Sequence, residues 1–403
     1  MHALTKLVVL AGLVASAPAG ARECAFQASW GSSQMIPDQQ NALPANSMSD
    51  ATLRQVIRLS IGGNNFRVRL SNRFGQTPLR ISHATIARSA DNATARILPD
   101  SLRPLRFSGT EAVAIPPGAE WLSDPVSLDG AAFADLAITL RISQAPQMQT
   151  SHPGSRATSY TLKGGNPAAI DMAGGERTDH WFFLSAVEVQ RCAQPGGIVT
   201  LGDSITDGYG VKANENTRWT DFFARRLGGK VAVINQGIGG NRVLLDGLGP
   251  NTLARLDADV LSQSGIRHVI LLEGINDLGV LGRDKPATAE QFSALVTDIT
   301  SAYRQIIDRA HAKGLKVHGG TILPFMSNSY YHPTAESERA RQAINAWIRT
   351  AGHFDSVIDF DKALRDPARP EVMKAEFDSG DGLHPGRVGY EAMAKAIPLE
   401  RFR

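Results

Sequence analysis

The sequence predicts two halves of different fold class: a β-sandwich or jelly-roll-like first half, then an α/β unit whose parallel sheet carries helices on both faces. Three observations predict this. Within residues 25–190, segments such as 66–71 and 136–143 alternate apolar and polar side chains with period two, Pro and Gly punctuate the rest, and no sustained 3.6-residue period appears. From residue 198 onward, short apolar strands alternate with helical stretches. The change falls at Ala193-Gln194-Pro195-Gly196-Gly197, a breaker-rich segment, and 403 residues suit two domains.

In the first half, residues 56–61 (VIRLSI) and 66–71 (FRVRLS) read as strands, and the Gly62-Gly63-Asn64-Asn65 turn between them predicts a hairpin. Residues 81–87 and 136–143 (LAITLRIS) are further strands, and short strands at such spacing suggest a sandwich. In the second half, residues 198–201 form a strand, 219–227 a helix ended by Gly228-Gly229, and 231–234 a strand. Residues 268–272 form the next strand, followed by a loop at Asn276. Thr288 and Gln291 make a capping box for a helix reaching about Lys313, closed by Gly314. Strand 315–323, helix 336–350, strand 357–360 and helix 389–397 complete the alternation.

Composition removes some partners. Lys plus Arg total 42 against 39 Asp plus Glu, a net charge of +3, and no basic run occurs. Such a chain has no electrostatic footprint for nucleic acid or an anionic membrane. Aromatics at 6% argue against a base-stacking platform. Residues 1–21 read as a secretory signal: Lys6, an apolar run at 7–17, and the small-x-small site Ala19-Gly20-Ala21. The run is too short to span a bilayer, and no other segment is long enough. The expected organisation is signal 1–21, β-rich domain 22–192 and α/β domain 196–403, in a protein that is secreted or periplasmic. In an exported protein the two cysteines, Cys24 and Cys192, suggest a disulfide, with two free buried thiols the alternative.

In parallel sheets functional groups gather on loops beyond the carboxyl ends of the strands. Four polar clusters fall there: Gly202-Asp203-Ser204, Gly237-Ile238-Gly239-Gly240-Asn241, Gly274-Ile275-Asn276-Asp277 and Asp381-Gly382-Leu383-His384-Pro385. Each alone is a common turn or cap. Together they permit acyl transfer. A serine hydroxyl becomes nucleophilic when an imidazole accepts its proton, and a carboxylate fixes that imidazole's tautomer. Ser204, His384 and Asp381 can fill these roles. The backbone N–H groups of Ser204 and Gly240 and the side-chain amide of Asn276 can form an oxyanion hole. A histidine base implies a rate that rises through histidine's titration range, about 6 to 7.

These residues resemble the four sequence blocks of the SGNH hydrolases, the GDSL esterase/lipase superfamily, over about 195–403. The resemblance implies a flavodoxin-like sheet, Ser204 as nucleophile and oxyanion donor, Gly240 and Asn276 as the other donors, His384 as base, Asp381 as its partner, and no cofactor. Residues 54–87 resemble the β-rich domain of a secreted two-domain subgroup, some of whose members are associated with plant cell-wall polysaccharide breakdown and described as acyl- or arylesterases. One departure is Gly239, where many relatives place serine; a looser loop is the expected consequence.

Other features have plainer readings. Gly208 and Gly210, like Gly237 and Gly239, do not complete a dinucleotide fingerprint. Asp359, Asp361 and Asp378 lack a suitably spaced histidine and read as solvated or capping carboxylates, so no metal is expected. Tyr330-Tyr331-His332 reads as a wall of the substrate pocket or as an ordinary surface loop. Asp203 and Asp277 read as structural hydrogen-bonders. The expected activity is hydrolysis of carboxylic esters, short-chain acyl or acetyl groups first, on a small molecule or a polysaccharide. A lysophospholipase or thioesterase, an acyltransferase, and a carbohydrate-binding protein without turnover are the alternatives.

Overall fold

A computed structural model describes residues 24–192 and 195–402. The proposed signal segment lies outside the described residues. The first half is antiparallel throughout. Strands β1 (Cys24–Gly31), β2 (Ala51–Arg58), β3 (Gly63–Ser71), β4 (Leu79–Arg88), β5 (Asp135–Gln144), β6 (Ser159–Lys163) and β7 (Leu184–Cys192) form two main sheets. One runs β1-β7-β3 and the other β6-β2-β5-β4, with short strands at the edges. Their facing sides alternate inward as period-two strands must: Phe66, Val68 and Leu70 from one sheet meet Leu53, Ile57, Ile138 and Leu140 from the other. Cys24 and Cys192 face each other at the end of the β1–β7 ladder and are joined by a disulfide.

The expected hairpin at Gly62-Gly63-Asn64-Asn65 does not form. β2 pairs with β5 and β6, whereas β3 pairs with β7, so the turn carries the chain from one sheet to the other. Both strands alternate, and each therefore has an apolar face to bury. Crossing the sandwich lets both faces meet the same core. A Cβ at Gly62 would stand 2.5 Å from the Gly130 carbonyl oxygen, so that crossing needs a glycine.

The second half holds five parallel strands: β8 (Gly197–Gly202), β9 (Val233–Gly237), β10 (Ile266–Leu272), β11 (Lys316–Gly320) and β12 (Ser356–Ile358). Their spatial order is β9-β8-β10-β11-β12, the flavodoxin-like order, with its switch point beside β8. Helices α1 (Ser204–Asp207), α2 (Trp219–Arg226), α3 (Thr252–Leu256), α4 (Ile275–Arg283), α5 (Ala289–His311), α6 (Ala335–Arg349), α7 (Phe360–Leu364) and α8 (Arg387–Lys395) cover it. The Thr288–Gln291 capping box starts α5. The loop expected at Asn276 is instead the first turn of α4, which begins after Gly274 at φ +107°. Among the described residues no helix is long and apolar enough to cross a membrane.

The halves pack directly on each other. Ala28 of β1 belongs to the core of the parallel sheet, and Ala232 belongs to that of the sandwich. The Ala28 N–H donates to the Ser264 carbonyl at 2.9 Å, and the Val233 N–H to the Ser60 hydroxyl at 3.1 Å. These contacts lie at the amino ends of β9 and β10. Toward the carboxyl ends the first half reaches the sheet through Ser33, whose hydroxyl donates to Gln236 Oε1 at 2.8 Å, and through His152, whose Nε2 lies 3.0 Å from Asp207 Oδ1.

Candidate active site

Ser204 stands where β8 ends. Asp203 caps α1, its Oδ1 accepting the Ile205 N–H at 2.9 Å, and Gly208 at φ +93° closes the helix after one turn. The serine is thereby presented on a tight strand-to-helix corner. His384 sits before α8 in a loop shaped by carboxylates. Asp378 accepts the N–H groups of Gly380 and Gly382, and Asp381 Oδ1 accepts those of Leu383 and His384 at 2.9 and 2.8 Å. Such Asx turns fix a loop locally. The outcome is a relay: Ser204 Oγ lies 2.8 Å from His384 Nε2, and His384 Nδ1 lies 2.6 Å from Asp381 Oδ2. Burial pushes the Asp381 carboxyl up, but the bonds from the His384 ring and N–H overcome it and hold it well below the usual carboxylate range.

The oxyanion candidates converge on the same cleft, of about 620 Å³, which both halves line. Neither the Ser204 N–H nor the Gly240 N–H donates to a protein acceptor among the described residues. Gly240 adopts φ +72°, which favours glycine, and a Cβ there would stand 2.7 Å from Leu248 Cδ1. Asn276 is buried; its Nδ2 donates to the Asn241 carbonyl at 2.7 Å and its Oδ1 accepts the Tyr331 hydroxyl at 2.7 Å. These bonds fix which way the amide points and leave one N–H for the cleft. The Gly239 N–H is held by Asp207 Oδ2 at 3.1 Å.

The aromatic triplet divides. Tyr330 is exposed on the cleft wall, Tyr331 is buried with its hydroxyl on Asn276, and His332 is exposed at φ +49° outside that wall. The carboxylates weighed against a metal have other partners. Asp359 and Asp361 bind Arg349 and Arg341, and Asp378 closes its turn. Asp277 accepts the Val243 and Leu244 N–H groups, and burial still pushes it up to about 6.

Sequence reasoning missed two sets of residues. The fully buried Arg255 ties together the carboxyl ends of three strands: it donates to Gly202 O at 2.9 Å, Gln236 O at 2.7 Å and Glu273 Oε1 at 3.2 Å. The sandwich supplies His152, Pro153, Gly154 and Arg156 to the cleft. Their only sequence signal is a polar, turn-forming segment with no periodicity.

The profile of the GDSL-like lipase/acylhydrolase family matches residues 200–392. No curated protein matches the chain. Solved structures resemble half of it. A GDSL-like lipase from Bacteroides thetaiotaomicron VPI-5482 is 21% identical, covering 51% of this chain and 89% of that one, with a TM-score of 0.37. The acetyl xylan esterase AlAXEase is 20% identical over 50% and 96%, with 0.38. The aryl esterase of M. smegmatis is 18% identical over 52% and 100%, with 0.37. Residues 200–392 are a GDSL-like lipase/acylhydrolase domain of the SGNH hydrolase superfamily, the domain of a carboxylic ester hydrolase.

Proposed function

We propose that the protein is an exported serine esterase that cleaves short-chain acyl esters, acetyl groups first, through an acyl-enzyme. The observation that carries this reading is the unbroken hydrogen-bond chain Ser204–His384–Asp381 beside two undonated backbone N–H groups. In this reading Ser204 attacks the ester carbonyl while His384 takes its proton, and the oxyanion is received by Ser204 N–H, Gly240 N–H and Asn276 Nδ2. His384 then returns the proton to the departing alcohol. Water repeats the sequence to release the acid.

The short-acyl preference is supported by Leu248, which packs against Gly240 and narrows the space beside the oxyanion donors. The disulfide supports export, because such bonds persist in oxidising compartments. An acylated polysaccharide is the natural substrate we favour. A second reading, an esterase or lysophospholipase for longer chains, is supported by other exposed apolar side chains on the loops around the cleft: Ile36, Leu245 and Tyr330.

The test is hydrolysis of p-nitrophenyl acetate, butyrate and octanoate by the purified protein and by Ser204→Ala. Turnover lost in the variant supports the nucleophile, and equal turnover in both rejects it. A rate falling from acetate to octanoate favours the first reading; a rising rate favours the second.

A further inference from the structure

We propose that Arg156, a residue of the sandwich, binds an anionic group on the alcohol part of the ester, so that the preferred substrates are acylated alcohols bearing a carboxylate or phosphate. The inference rests on the serine-esterase reading above and deepens it.

Four observations support it. Arg156 lines the cleft, yet no carboxylate lies within ion-pairing distance of its guanidinium among the described residues. Its Nε is buried and has no acceptor. An arginine left this way keeps a buried N–H without an acceptor, and an anion arriving with the ligand would complement it. Its backbone sits at φ +48°, a conformation that L side chains adopt rarely. The surrounding bonds impose it: the Arg156 carbonyl accepts the Asn214 N–H at 2.8 Å, the Ser155 carbonyl accepts from Arg218, and the Ser155 hydroxyl donates to Ala157 O at 2.8 Å. These bonds fix the backbone from which Arg156 reaches the cleft.

Its position selects the alcohol side. The Arg156 guanidinium carbon lies 5.7 Å from the centre of the Tyr209 ring, and that ring stacks on His384 with centroids 4.1 Å apart. His384 must return its proton to the departing oxygen, so a charge placed beyond its ring faces the departing alcohol. The cleft's own carboxylates do not compete for the arginine. Asp381 is bound by His384, Asp207 by His152 and the Gly239 N–H, and Asp38 by the Gln40 and Asn41 N–H groups of its own turn.

The experiment compares kcat/KM for 4-carboxyphenyl acetate with its uncharged analogue 4-carbamoylphenyl acetate, in the parent, Arg156→Gln and Arg156→Lys. The leaving-group difference between the two esters cancels when parent and variant are compared. The proposal expects the charged-to-neutral ratio to fall about tenfold in Arg156→Gln, the scale of one charge-assisted hydrogen bond. It expects a smaller fall in Arg156→Lys, and a fall in the parent's ratio at high salt that Arg156→Gln does not show. An unchanged ratio in Arg156→Gln overturns it. A second arm, phenyl hydrogen adipate against phenyl adipamate, moves the charge to the acyl side. An Arg156-dependent preference confined to that arm overturns the alcohol-side assignment. If either variant fails to fold, a parent ratio insensitive to salt overturns the proposal by itself. Failure of the underlying reading is distinguishable, since Ser204→Ala would then retain turnover of p-nitrophenyl acetate.

Discussion

His152 Nε2 lies 3.0 Å from Asp207 Oδ1, and this contact fastens the sandwich to the loop that presents Gly240. The second imidazole nitrogen faces the Ser33 carbonyl at 2.8 Å, so both nitrogens meet acceptors. The other Asp207 oxygen accepts the Gly239 N–H. A residue of the first half thus bears, through one carboxylate, on the backbone next to Gly240, the proposed oxyanion donor.

Replacing His152 should accordingly affect both stability and turnover. His152→Ala leaves Asp207 buried without its partner, a change that typically costs about 3–5 kcal/mol. It also frees the Gly239–Gly240 turn. The expected result is a lower Tm and a kcat reduced about tenfold or more, with KM changed less, because the donor acts mainly on the transition state. Thermal melts and kinetics on p-nitrophenyl acetate check this. Loss of Tm with kcat intact would restrict the contact to a structural role.

Tyr331→Phe removes one hydroxyl, whose partner is Asn276 Oδ1. The amide then loses half of what fixes its direction. We expect kcat to fall about tenfold, less than the ~10²–10³ typical of deleting an oxyanion donor outright. Asn276→Ala should show the larger loss. If Tyr331→Phe equals the parent while Asn276→Ala is inactive, the bond to Asn241 O suffices to orient the amide.

Much of the candidate site's placement was legible because its residues sit in local turns. Ser204, Asn276 and the Asp381–His384 pair each follow a strand or precede a helix with glycines that mark the corner. Asn276 was expected in a loop because Gly274 reads as a breaker; here the glycine starts α4 instead. The hairpin failed for a different reason. Alternation shows that a strand has a buried face but not which sheet it joins, and β2 and β3 went to separate sheets. His152 and Arg156 were not legible at all. His152 meets Asp207 across 55 residues of chain, and no periodicity encodes such a contact.

The disulfide closes a span of 168 residues, nearly the whole sandwich. Loop-closure entropy for a span of that size limits its contribution to roughly 5 kcal/mol. Neither cysteine lines the cleft. Reduction, or the Cys24→Ser/Cys192→Ser double variant, should lower Tm by several degrees while leaving p-nitrophenyl acetate turnover at 25 °C close to the parent's. Calorimetry with and without reductant measures the first, and initial rates measure the second. An unchanged Tm would mean that the β1–β7 ladder alone holds the two ends together.

Burial pushes the Asp203 carboxyl from its ordinary 3.8 up to about 7, with the Ile205 N–H opposing and Asp277 adding to the rise. The sign of its effect on stability follows. In the unfolded chain Asp203 ionises near 3.8, whereas in the folded chain it keeps its proton to about 7. Between about 4 and 7 the unfolded state therefore binds fewer protons, and folding loses stability as pH rises through that window. Below it both states are protonated, and above it both are ionised, so the difference is constant. Asp203→Asn abolishes this titration while keeping an oxygen for the Ile205 N–H. The Tm of the variant relative to the parent should climb from pH 4 to 7 and then level off. Melts in matched buffers across pH 3.5 to 8.5 check it. A Tm difference independent of pH would show that Asp203 is ionised throughout, held by the nearby Arg255.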